Sequence, residues 1–364
     1  MTRARIIIAG GGTGGHVFPA IAVAEALQSL ADIEVIFCGT ERGLEARVVP
    51  PRGWRIEFLD VRPLKGQKPS RAIGAVFRSA RATLHALGLV RRLAPRAVLS
   101  VGGYASGPVT LAAAMRRIPI AALEPNRVVG LANRLTAPLV QRAYVAWQEA
   151  ADSFPARARR LYGVPLRHGF APRPYVPRRA GQRARVLVIG GSQGASALNE
   201  RVPEAMARVR RSVARVEVTH QAGHDREAAV RAAYAREAVD ASVVAFLDDI
   251  AEAIASADVV VARAGAGAIA EITAIGRASV LVPFPHAADD HQARNAEVLS
   301  SAGAAVCLRQ EIADAPRLAL EIERLLSDDS ARVAMADAAR ARGKPNAARD
   351  VAADLLSLAG MEAR

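Results

Sequence analysis

The sequence is poor in the residues that mark several classes of protein. Only two of its 364 residues are cysteine, and neither belongs to a CxxC pair. A disulfide framework is therefore not expected, and we interpret Cys38 and Cys307 as buried reduced thiols of a cytosolic protein. Aromatic residues make up 4% of the chain and do not alternate with basic ones as in single-strand nucleic-acid binders.

Long apolar runs are also missing. No stretch approaches the ~20 apolar residues of a membrane-spanning helix, so any membrane contact is expected to be peripheral. The first apolar run stops after Ala9, which does not indicate a secretory signal.

Lysine is nearly absent, yet the chain is strongly basic. Arginine supplies almost all of the formal net charge of +14, because Lys65, Lys68 and Lys344 are the only lysines. The excess is dispersed along both halves. It favours an anionic substrate or an anionic membrane surface as partner, and nothing in the pattern supports nucleic acid.

Short apolar strands alternate regularly with helical segments throughout the chain. This alternation predicts the α/β class, with two doubly wound parallel sheets. A stretch at 163–181, rich in proline and arginine, indicates the boundary. We therefore predict a domain over 1–163, a second over 164–343, and a C-terminal helix within 344–364 that packs back across the junction. One continuous helix is expected over 314–341.

Three glycine-rich turns each follow a predicted strand and precede a helix. They lie at Gly10–Gly15, Gly190–Gly194 and Arg263–Gly267. Such turns let backbone N–H groups at a helix N-terminus approach an anion, although each could also be a packing turn. Gly10–Gly15 satisfies the GxGxxG dinucleotide fingerprint, but Glu41 matches the required acid only loosely. A nicotinamide- or flavin-dependent oxidoreductase therefore stays an alternative.

His16 directly follows the first glycine turn. The positive end of a helix disfavours a charged imidazolium, so a neutral His16 could act as a general base. A capping or packing histidine is the equal alternative.

Glu271 lies about one turn inside the helix after the third glycine turn. Its carboxylate could accept both hydroxyls of a ribose or a sugar; alternatively, it is a first-turn acid that complements the helix dipole.

The polar segment 283–295 contains histidines and aspartates whose spacing fits no standard metal-ligand set, and Asp289 or Asp290 is expected to cap a helix. The chain has no Asp-x-Asp pair, so no metal is expected on a diphosphate.

Segment 70–93 has an apolar stripe that includes Leu84 and Leu87, preceded by a loop with Arg62, Lys65 and Lys68. We expect the stripe to pack on its own sheet. The basic loop is the better candidate for contact with anionic lipid.

These motifs together resemble the MurG family of N-acetylglucosaminyltransferases, over nearly the whole chain. The resemblance rests on GGTGGHVFPA at 11–20, GGYASGP at 102–108, EPN at 124–126, GGSQGA at 190–195, FLDDI at 246–250 and PFPHAADDHQ at 283–292. It implies a GT-B fold, with two Rossmann-like domains facing each other across a cleft. It further implies inverting transfer of GlcNAc from UDP-GlcNAc to the MurNAc 4-hydroxyl of lipid I, without a cofactor, at the cytoplasmic face of the cell membrane.

The resemblance also assigns roles to residues. His16 becomes the leading general base, and Glu124 a second base or an orienting group. The implied substrate contacts are Thr13, Gly14, Gly15, Asn126, Arg167, Ser192, Leu247, Ala266, Gly267, Ala268, Glu271 and Gln292. Among them, Leu247 is expected at the uracil, Glu271 at the ribose and Gln292 at the transferred sugar.

Three positions depart from the family pattern. They are Pro125, Val164 and the stretch Ala266–Ala268, which lacks a threonine and so leaves the phosphate grip to backbone N–H groups. Another GT-B enzyme, such as a glycolipid synthase or a UDP-sugar epimerase, is the nearer alternative. A binding module without enzymatic activity fits the polar motifs least.

Overall fold

A computed structural model describes residues 3–61, 72–179, 181–191, 194–287 and 290–362, with 72–80 described by their backbone. The chain divides into two compact units. The first comprises Met1–Arg167 and Asn346–Arg364, and the second comprises His168–Pro345. Each unit is built on one parallel sheet, as the strand–helix alternation predicts.

The first unit contains seven strands among the described residues: β1 (Ala4–Ala9), β2 (Ile33–Gly39), β3 (Arg55–Phe58), β4 (Ala97–Ser100), β5 (Ile120–Glu124), β6 (Arg142–Val145) and β7 (Arg159–Leu161). Its helices are α1 (Gly14–Leu30), α2 (Glu45–Val48), α3 (Ala72–Leu93), α4 (Ser106–Met115), α5 (Leu131–Thr136), α6 (Gln148–Ala151) and, from the end of the chain, α14 (Ala347–Leu358). Short 3-10 turns occupy Pro50–Arg52, Ala137–Leu139 and Ala156–Ala158.

The strand order of the first sheet is β3-β2-β1-β4-β5-β6-β7. The order reverses between β1 and β4, and ligands of open α/β sheets bind at such a switch point, beyond the carboxyl ends of the strands. A ligand site is therefore expected at the turns after β1 and β4. β7 was not predicted, because its three residues begin with two arginines and form a short edge strand.

Helix α14 packs against α1 in the first unit. Asp354 on α14 accepts hydrogen bonds from Tyr144 Oη and Arg142 Nε, both at 2.9 Å, at the sheet surface. Burial, followed by the nearby Asp354 carboxylate, raises the pKa of Tyr144. Leu355 and Leu356 are buried in the same core as β1 and β2. The final segment thus supplies one of the layers that cover the first sheet.

The second unit contains six strands among the described residues: β8 (Ala184–Ile189), β9 (Val216–Gln221), β10 (Ala241–Val244), β11 (Val259–Ala262), β12 (Ser279–Leu281) and β13 (Val306–Cys307). Its helices are α7 (Ser196–Val209), α8 (Glu227–Arg236), α9 (Ile250–Ser256), α10 (Ala266–Ile275), α11 (His291–Ser301), α12 (Ala315–Ser327) and α13 (Asp329–Arg342). The strand order is β10-β9-β8-β11-β12-β13, so the switch point lies between β8 and β11.

The single helix predicted over 314–341 is wrong, because the chain breaks at Asp328. This residue has an extended backbone, and its side chain accepts a hydrogen bond from Ala331 N at 2.9 Å. It therefore caps α13 while ending α12. Arg332, fully buried on α13, donates to the Leu325 carbonyl in the last turn of α12. The break is thus fixed from both sides.

The proline- and arginine-rich stretch is anchored to the second unit by Tyr175. Its hydroxyl donates to Asp258 Oδ1 at 2.5 Å. The guanidinium groups of Arg277 and Arg332 lie 5.5 and 5.3 Å from the centre of its ring. Tyr175 thus ties a stretch without regular structure to the residue before β11 and to α13 of the second unit.

The two cysteines carry free thiols. Cys38 is buried as expected, whereas Cys307, on the two-residue strand β13, is only half-buried. Burial raises the pKa of Cys38 to about 12. Among the described residues, no helix combines the length and the hydropathy needed to cross a bilayer.

Candidate functional site

The first glycine turn lies at the switch point of the first sheet. Gly10 N donates to Cys38 O at 2.8 Å, and Gly11 N donates to Gly102 O at 3.0 Å. Gly10 adopts φ +124°, and a Cβ there would collide with the Gly102 carbonyl, so only glycine fits. Thr13 is the N-cap residue of α1 and makes no side-chain cap hydrogen bond. Thr13, Gly14 and Gly15, all predicted substrate contacts, thus form the N-terminus of α1.

His16 is the third residue of α1. Its half-buried ring packs against Gly102, where a Cβ would lie 3.0 Å from the ring Cε1. Its Nδ1 is buried and makes no hydrogen bond within the described part of the chain. A role of the other ring nitrogen, Nε2, as a base stays a prediction. Since Thr13 occupies the N-cap position, His16 is not a capping residue.

Glu124, at the end of β5, is fully buried and heavily hydrogen-bonded. Its carboxylate accepts from Asn126 N and Nδ2, both at 3.1 Å, from Gly130 N at 2.9 Å and from Asn133 Nδ2 at 3.2 Å. Asn133 in turn accepts from Ser100 Oγ at 2.8 Å. A carboxylate engaged this completely holds the loop after β5 and the predicted contact residue Asn126. The geometry favours an orienting group over a base.

Arg167 lies beside α1. Its guanidinium carbon is 5.4 Å from the ring centre of Phe18, two residues after His16. This cation–π contact holds a predicted donor-contact arginine close to the glycine turn of its own unit.

The second glycine turn packs tightly against β9. Gly190 N donates to Gln221 O at 3.2 Å, and a Cβ on Gly194 would collide with the Ala222 carbonyl. Helix α7 begins directly after the turn, at Ser196. Ser192, the predicted contact in this turn, lies outside the described residues.

A chain of buried polar groups supports this turn, and sequence reasoning missed it. Asn199 Nδ2 donates to Ala222 O at 3.0 Å, which leaves Asn199 Oδ1 to accept from His220 Nε2 at 3.1 Å. Tyr234 Oη then donates to His220 Nδ1 at 2.9 Å. Burial lowers the pKa of His220 to about 4, so its ring is neutral at ordinary pH. This chain of hydrogen bonds joins α7, β9 and α8 behind the glycine turn.

The third glycine turn ends in the open N-terminus of α10. Gly265 is the N-cap residue, and Ala266, Gly267 and Ala268 form the first helical turn, whose N–H groups have no acceptor within the helix. A Cβ on Gly265 or Gly267 would meet no atom within 4 Å. The space before the helix is therefore open, as an anion-binding N-terminus requires.

Glu271 is half-buried in the second turn of α10. The first turn contains no acidic residue, so the interpretation of Glu271 as a first-turn acid is wrong. The ribose-binding role that the resemblance implies stays a prediction.

Arg263 braces the third turn against the segment after β12, and sequence reasoning missed this role. Its Nη1 donates to the carbonyls of Val282 and Pro283, both at 3.1 Å. Its Nη2 donates to Gln310 Oε1 at 2.7 Å, and the guanidinium lies over the Phe284 ring. Burial, together with the neighbouring Arg201, lowers the pKa of Arg263. An arginine at the end of a buried strand was the available signal.

The segment after β12 leads into α11. Gln292 Oε1 accepts from Phe284 N at 3.0 Å, so this predicted sugar contact also shapes its own loop. Asp290 occupies the N-cap position, but its side chain makes no cap hydrogen bond and pairs with Arg309 at 3.4 Å. Capping by the Asp290 side chain, one of the two predicted alternatives, is therefore not observed; its backbone is left-handed (φ +53°), whereas a capping residue usually has an extended backbone. Asp289 lies outside the described residues.

Leu247, the predicted uracil contact, lies half-buried in the loop between β10 and α9. Asp249 caps α9 by accepting from Glu252 N at 2.9 Å, which fixes the end of this loop.

Models of two domains match this chain. The glycosyltransferase family 28 N-terminal domain matches residues 6–145, and the family 28 C-terminal domain matches residues 185–353. This chain belongs to glycosyltransferase family 28. Membership favours glycosyl transfer over the oxidoreductase that the first glycine turn alone allowed.

Relatives of similar length carry one enzyme name. A protein of Sorangium cellulosum is 53% identical over 97% of this chain and 88% of its own length. One of Acidithiobacillus ferrooxidans is 43% identical over 98% of each chain. Both are named UDP-N-acetylglucosamine–N-acetylmuramyl-(pentapeptide) pyrophosphoryl-undecaprenol N-acetylglucosamine transferase. The crystal structure of Acinetobacter baumannii MurG matches with TM-score 0.78 and 31% identity, over 97% of this chain and 99% of that one. The resemblance to the MurG family and the predicted GT-B fold class are confirmed.

The structure shows which acidic residue lies beside the GxGxxG fingerprint of the first turn. The acid that contacts the first glycine turn is Glu45, on α2 beyond the end of β2, and not Glu41. Its carboxylate accepts hydrogen bonds from Gly12 and Thr40 within the protein. A carboxylate used in this way is not left to bind a ribose.

Proposed function

We propose that this chain transfers GlcNAc from UDP-GlcNAc to the undecaprenyl-pyrophosphoryl-MurNAc-pentapeptide acceptor, lipid I, to form lipid II. The observation that carries the proposal is the 53% identity, over 97% of the chain, to a protein named for this reaction. The fold supports it, because glycine turns at both switch points are followed by helix N-termini.

The chemistry we propose is inverting. The 4-hydroxyl of MurNAc attacks the anomeric carbon of GlcNAc on the face opposite UDP, forming the new C–O bond as the bond to phosphate breaks. The hydroxyl proton passes to His16 Nε2, and UDP leaves with the bonding electrons. The first-turn N–H groups of α10, together with the N-terminus of α7 and with Arg167, offset the charge that develops on the diphosphate.

The donor contacts follow the sequence assignments. Ala266, Gly267 and Ala268 offer backbone N–H groups to the diphosphate, and Glu271 accepts the ribose hydroxyls. Leu247 packs on uracil and Gln292 bonds the sugar, and Ser192 and Asn126 also contact the donor. Thr13, Gly14 and Gly15 lie at its reactive end. Glu124 acts by holding Asn126 and its loop, since its hydrogen-bond capacity is filled.

The test is direct transfer by the purified protein. Labelled UDP-GlcNAc and lipid I should give a lipid-linked disaccharide with the β-anomeric linkage, whereas a product retaining the donor's configuration would contradict inversion. UDP should protect the protein from thermal unfolding and NAD(H) should not. Protection by NAD(H) alone would favour the oxidoreductase.

Peripheral binding to an anionic membrane, at the cytoplasmic face, is the second part of the proposal. Helices α3, α4 and α5 pack side by side, and Leu84, Met115 and Leu135 on them expose 69%, 66% and 67% of their surface. Arg116 and Arg134 are exposed next to them. Leu84 was expected to pack on the sheet, and its exposure corrects that expectation; Leu87 does pack there in part. The basic loop with Arg62, Lys65 and Lys68 lies outside the described residues.

The membrane proposal predicts a charge-sensitive effect. Met115→Glu and Leu135→Glu together should reduce binding to vesicles containing anionic lipid by about tenfold, because two apolar side chains are replaced by like charges. Leu320→Glu, at a similarly exposed leucine of the second unit, is the control. Sedimentation with vesicles measures the binding of the double variant and of the control. Equal binding by these variants and the wild type would contradict the assignment of this surface to the membrane.

A further inference from the structure

A buried carboxylate lies directly behind the first glycine turn. Glu45, on the short helix α2, exposes 2% of its surface. Its Oε2 accepts from Gly12 N at 2.6 Å. Its Oε1 accepts from Thr40 N at 2.9 Å and from Thr40 Oγ1 at 3.1 Å. Both oxygens are therefore engaged, and no salt bridge joins this carboxylate to a cation in the described part of the chain.

Three glycines make room for this one side chain. A Cβ on Gly11, Gly39 or Gly43 would overlap Glu45, with the carboxylate or the adjacent Cγ as the nearest atom. The three glycines come from the turn after β1, the end of β2 and the loop before α2. A cavity shaped from three separate places around one carboxylate indicates that its position matters.

The contact also fixes the start of α1. A carboxylate acceptor 2.6 Å from Gly12 N orients the Gly11–Gly12 peptide, one residue before Thr13, the N-cap residue. His16 N and Val17 N both donate to Thr13 O, so the orientation of this peptide is transmitted to the first turn of α1. The His16 ring, held against Gly102, depends on where that turn begins.

We infer that Glu45 is a positioning residue for the transfer reaction: it holds the Gly12 peptide and, through it, the His16 ring. This inference rests on the proposed role of His16. Glu45 does not touch the reacting atoms. Its loss should therefore reduce turnover while leaving the affinity for UDP-GlcNAc nearly unchanged, since the donor contacts we propose lie mainly in the second unit.

The first test is Glu45→Gln. The amide keeps the size but is uncharged and accepts on one side only, so Gly12 N either loses its partner or keeps a neutral acceptor in place of the carboxylate. We expect kcat to fall by about 10- to 100-fold, the range for one charge-assisted hydrogen bond, with KM for UDP-GlcNAc within about twofold. Hydrogen exchange of the Gly12 amide should accelerate in the variant, which reports on the contact without any assay of activity.

A second variant reaches the same carboxylate from outside the ligand turn. Gly43→Ala places a methyl group where the carboxylate lies, without altering residues 10–16. It should reproduce the fall in kcat. Gly88→Ala is the matched control, because its Cβ would meet no atom within 4 Å. Asp354→Asn controls for general destabilisation of this unit: it should lower the unfolding temperature and leave kcat unchanged.

A double variant separates this inference from the proposed function. If Glu45 acts through His16, Glu45→Gln should lower kcat strongly in the wild type and little in the His16→Ala background. Unchanged kcat and unchanged Gly12 exchange in Glu45→Gln and Gly43→Ala would overturn the positioning role while lipid II formation by the wild type persists. Absence of transfer by the wild type would instead refute the proposed function. If Glu45→Gln does not fold, Gly43→Ala decides by the same two readouts.

Discussion

The first and third glycine turns look alike in sequence and differ in what lies behind them. At the first turn, a buried carboxylate already accepts from Gly12 N. At the third, the described first turn of α10 contains no acidic residue, and the space before Gly265 and Gly267 is open. One helix N-terminus is thus supplied with negative charge by the protein, and the other is left ready for the charge of a ligand.

This difference predicts different ligand groups at the two turns. A diphosphate next to the first turn would face the Glu45 carboxylate, and that repulsion favours neutral sugar groups there. The third turn meets an anion with N–H groups alone. A glycine-rich turn by itself therefore does not identify a phosphate site, because the residue behind it decides the charge that the turn can accept.

The largest effect should come from the side chain that only the first turn carries. His16→Ala removes the proposed base, so kcat should fall by about 10²- to 10⁴-fold with the Kd for UDP within about twofold. Steady-state kinetics and calorimetry measure the two quantities. His85→Ala, at an exposed histidine of the same unit, should change neither. Full activity of His16→Ala would remove this ring from the chemistry.

Sequence patterns were sufficient for the sheets and for the glycine turns, because apolar strands and glycines leave strong local signals. The strands from β1 to β6 and from β8 to β13 follow from them, whereas the polar edge strand β7 does not. The break at Asp328 was missed because amphipathic periodicity continues across it, while the hydrogen bond by which the Asp328 side chain caps α13 depends on the extended backbone of this residue.

The supporting residues of the site were harder to find. Glu45 is 33 positions from Gly12, and His220 is 21 positions from Asn199. Their contacts depend on which strands become neighbours, and no local pattern encodes that pairing. Sequence reasoning located the glycine turns, and the structure added the buried polar groups that hold them.

A second effect concerns the histidine behind the second turn and appears in the pH dependence of stability. His220 behind the second turn is buried and neutral, with its pKa lowered from 6.5 to about 4 by burial. Between pH 6.5 and about pH 4, the unfolded chain binds a proton on this histidine and the folded chain does not. The free energy of unfolding should therefore fall as the pH is lowered from 6.5 to 4, by about 3 kcal/mol from this group.

His220→Gln should remove that part of the pH dependence, although it lowers stability at pH 7 by leaving Tyr234 without its acceptor. His224 is an exposed histidine two residues after Ala222, whose carbonyl accepts from Asn199. His224→Gln should keep the whole decrease in the free energy of unfolding at low pH. Urea unfolding at half-unit steps from pH 7 to pH 4 compares the three proteins. Identical slopes in all of them would mean that His220 is not the group that titrates on unfolding.

The smallest effect comes from giving the third turn a charge like that behind the first. Ala268→Asp adds a carboxylate in the first turn of α10, where it should stabilise the free protein by about 0.3–1 kcal/mol through the helix dipole. The same charge should weaken UDP binding by about 5- to 10-fold, because it competes with the diphosphate for the N–H groups. Ala268→Asn, of nearly equal size, separates charge from bulk. Calorimetric titration with UDP and thermal unfolding without it should thus move in opposite directions for the aspartate. If UDP binds the aspartate variant as tightly as the asparagine variant, the diphosphate does not lie at this helix, and the contrast between the two turns has another cause.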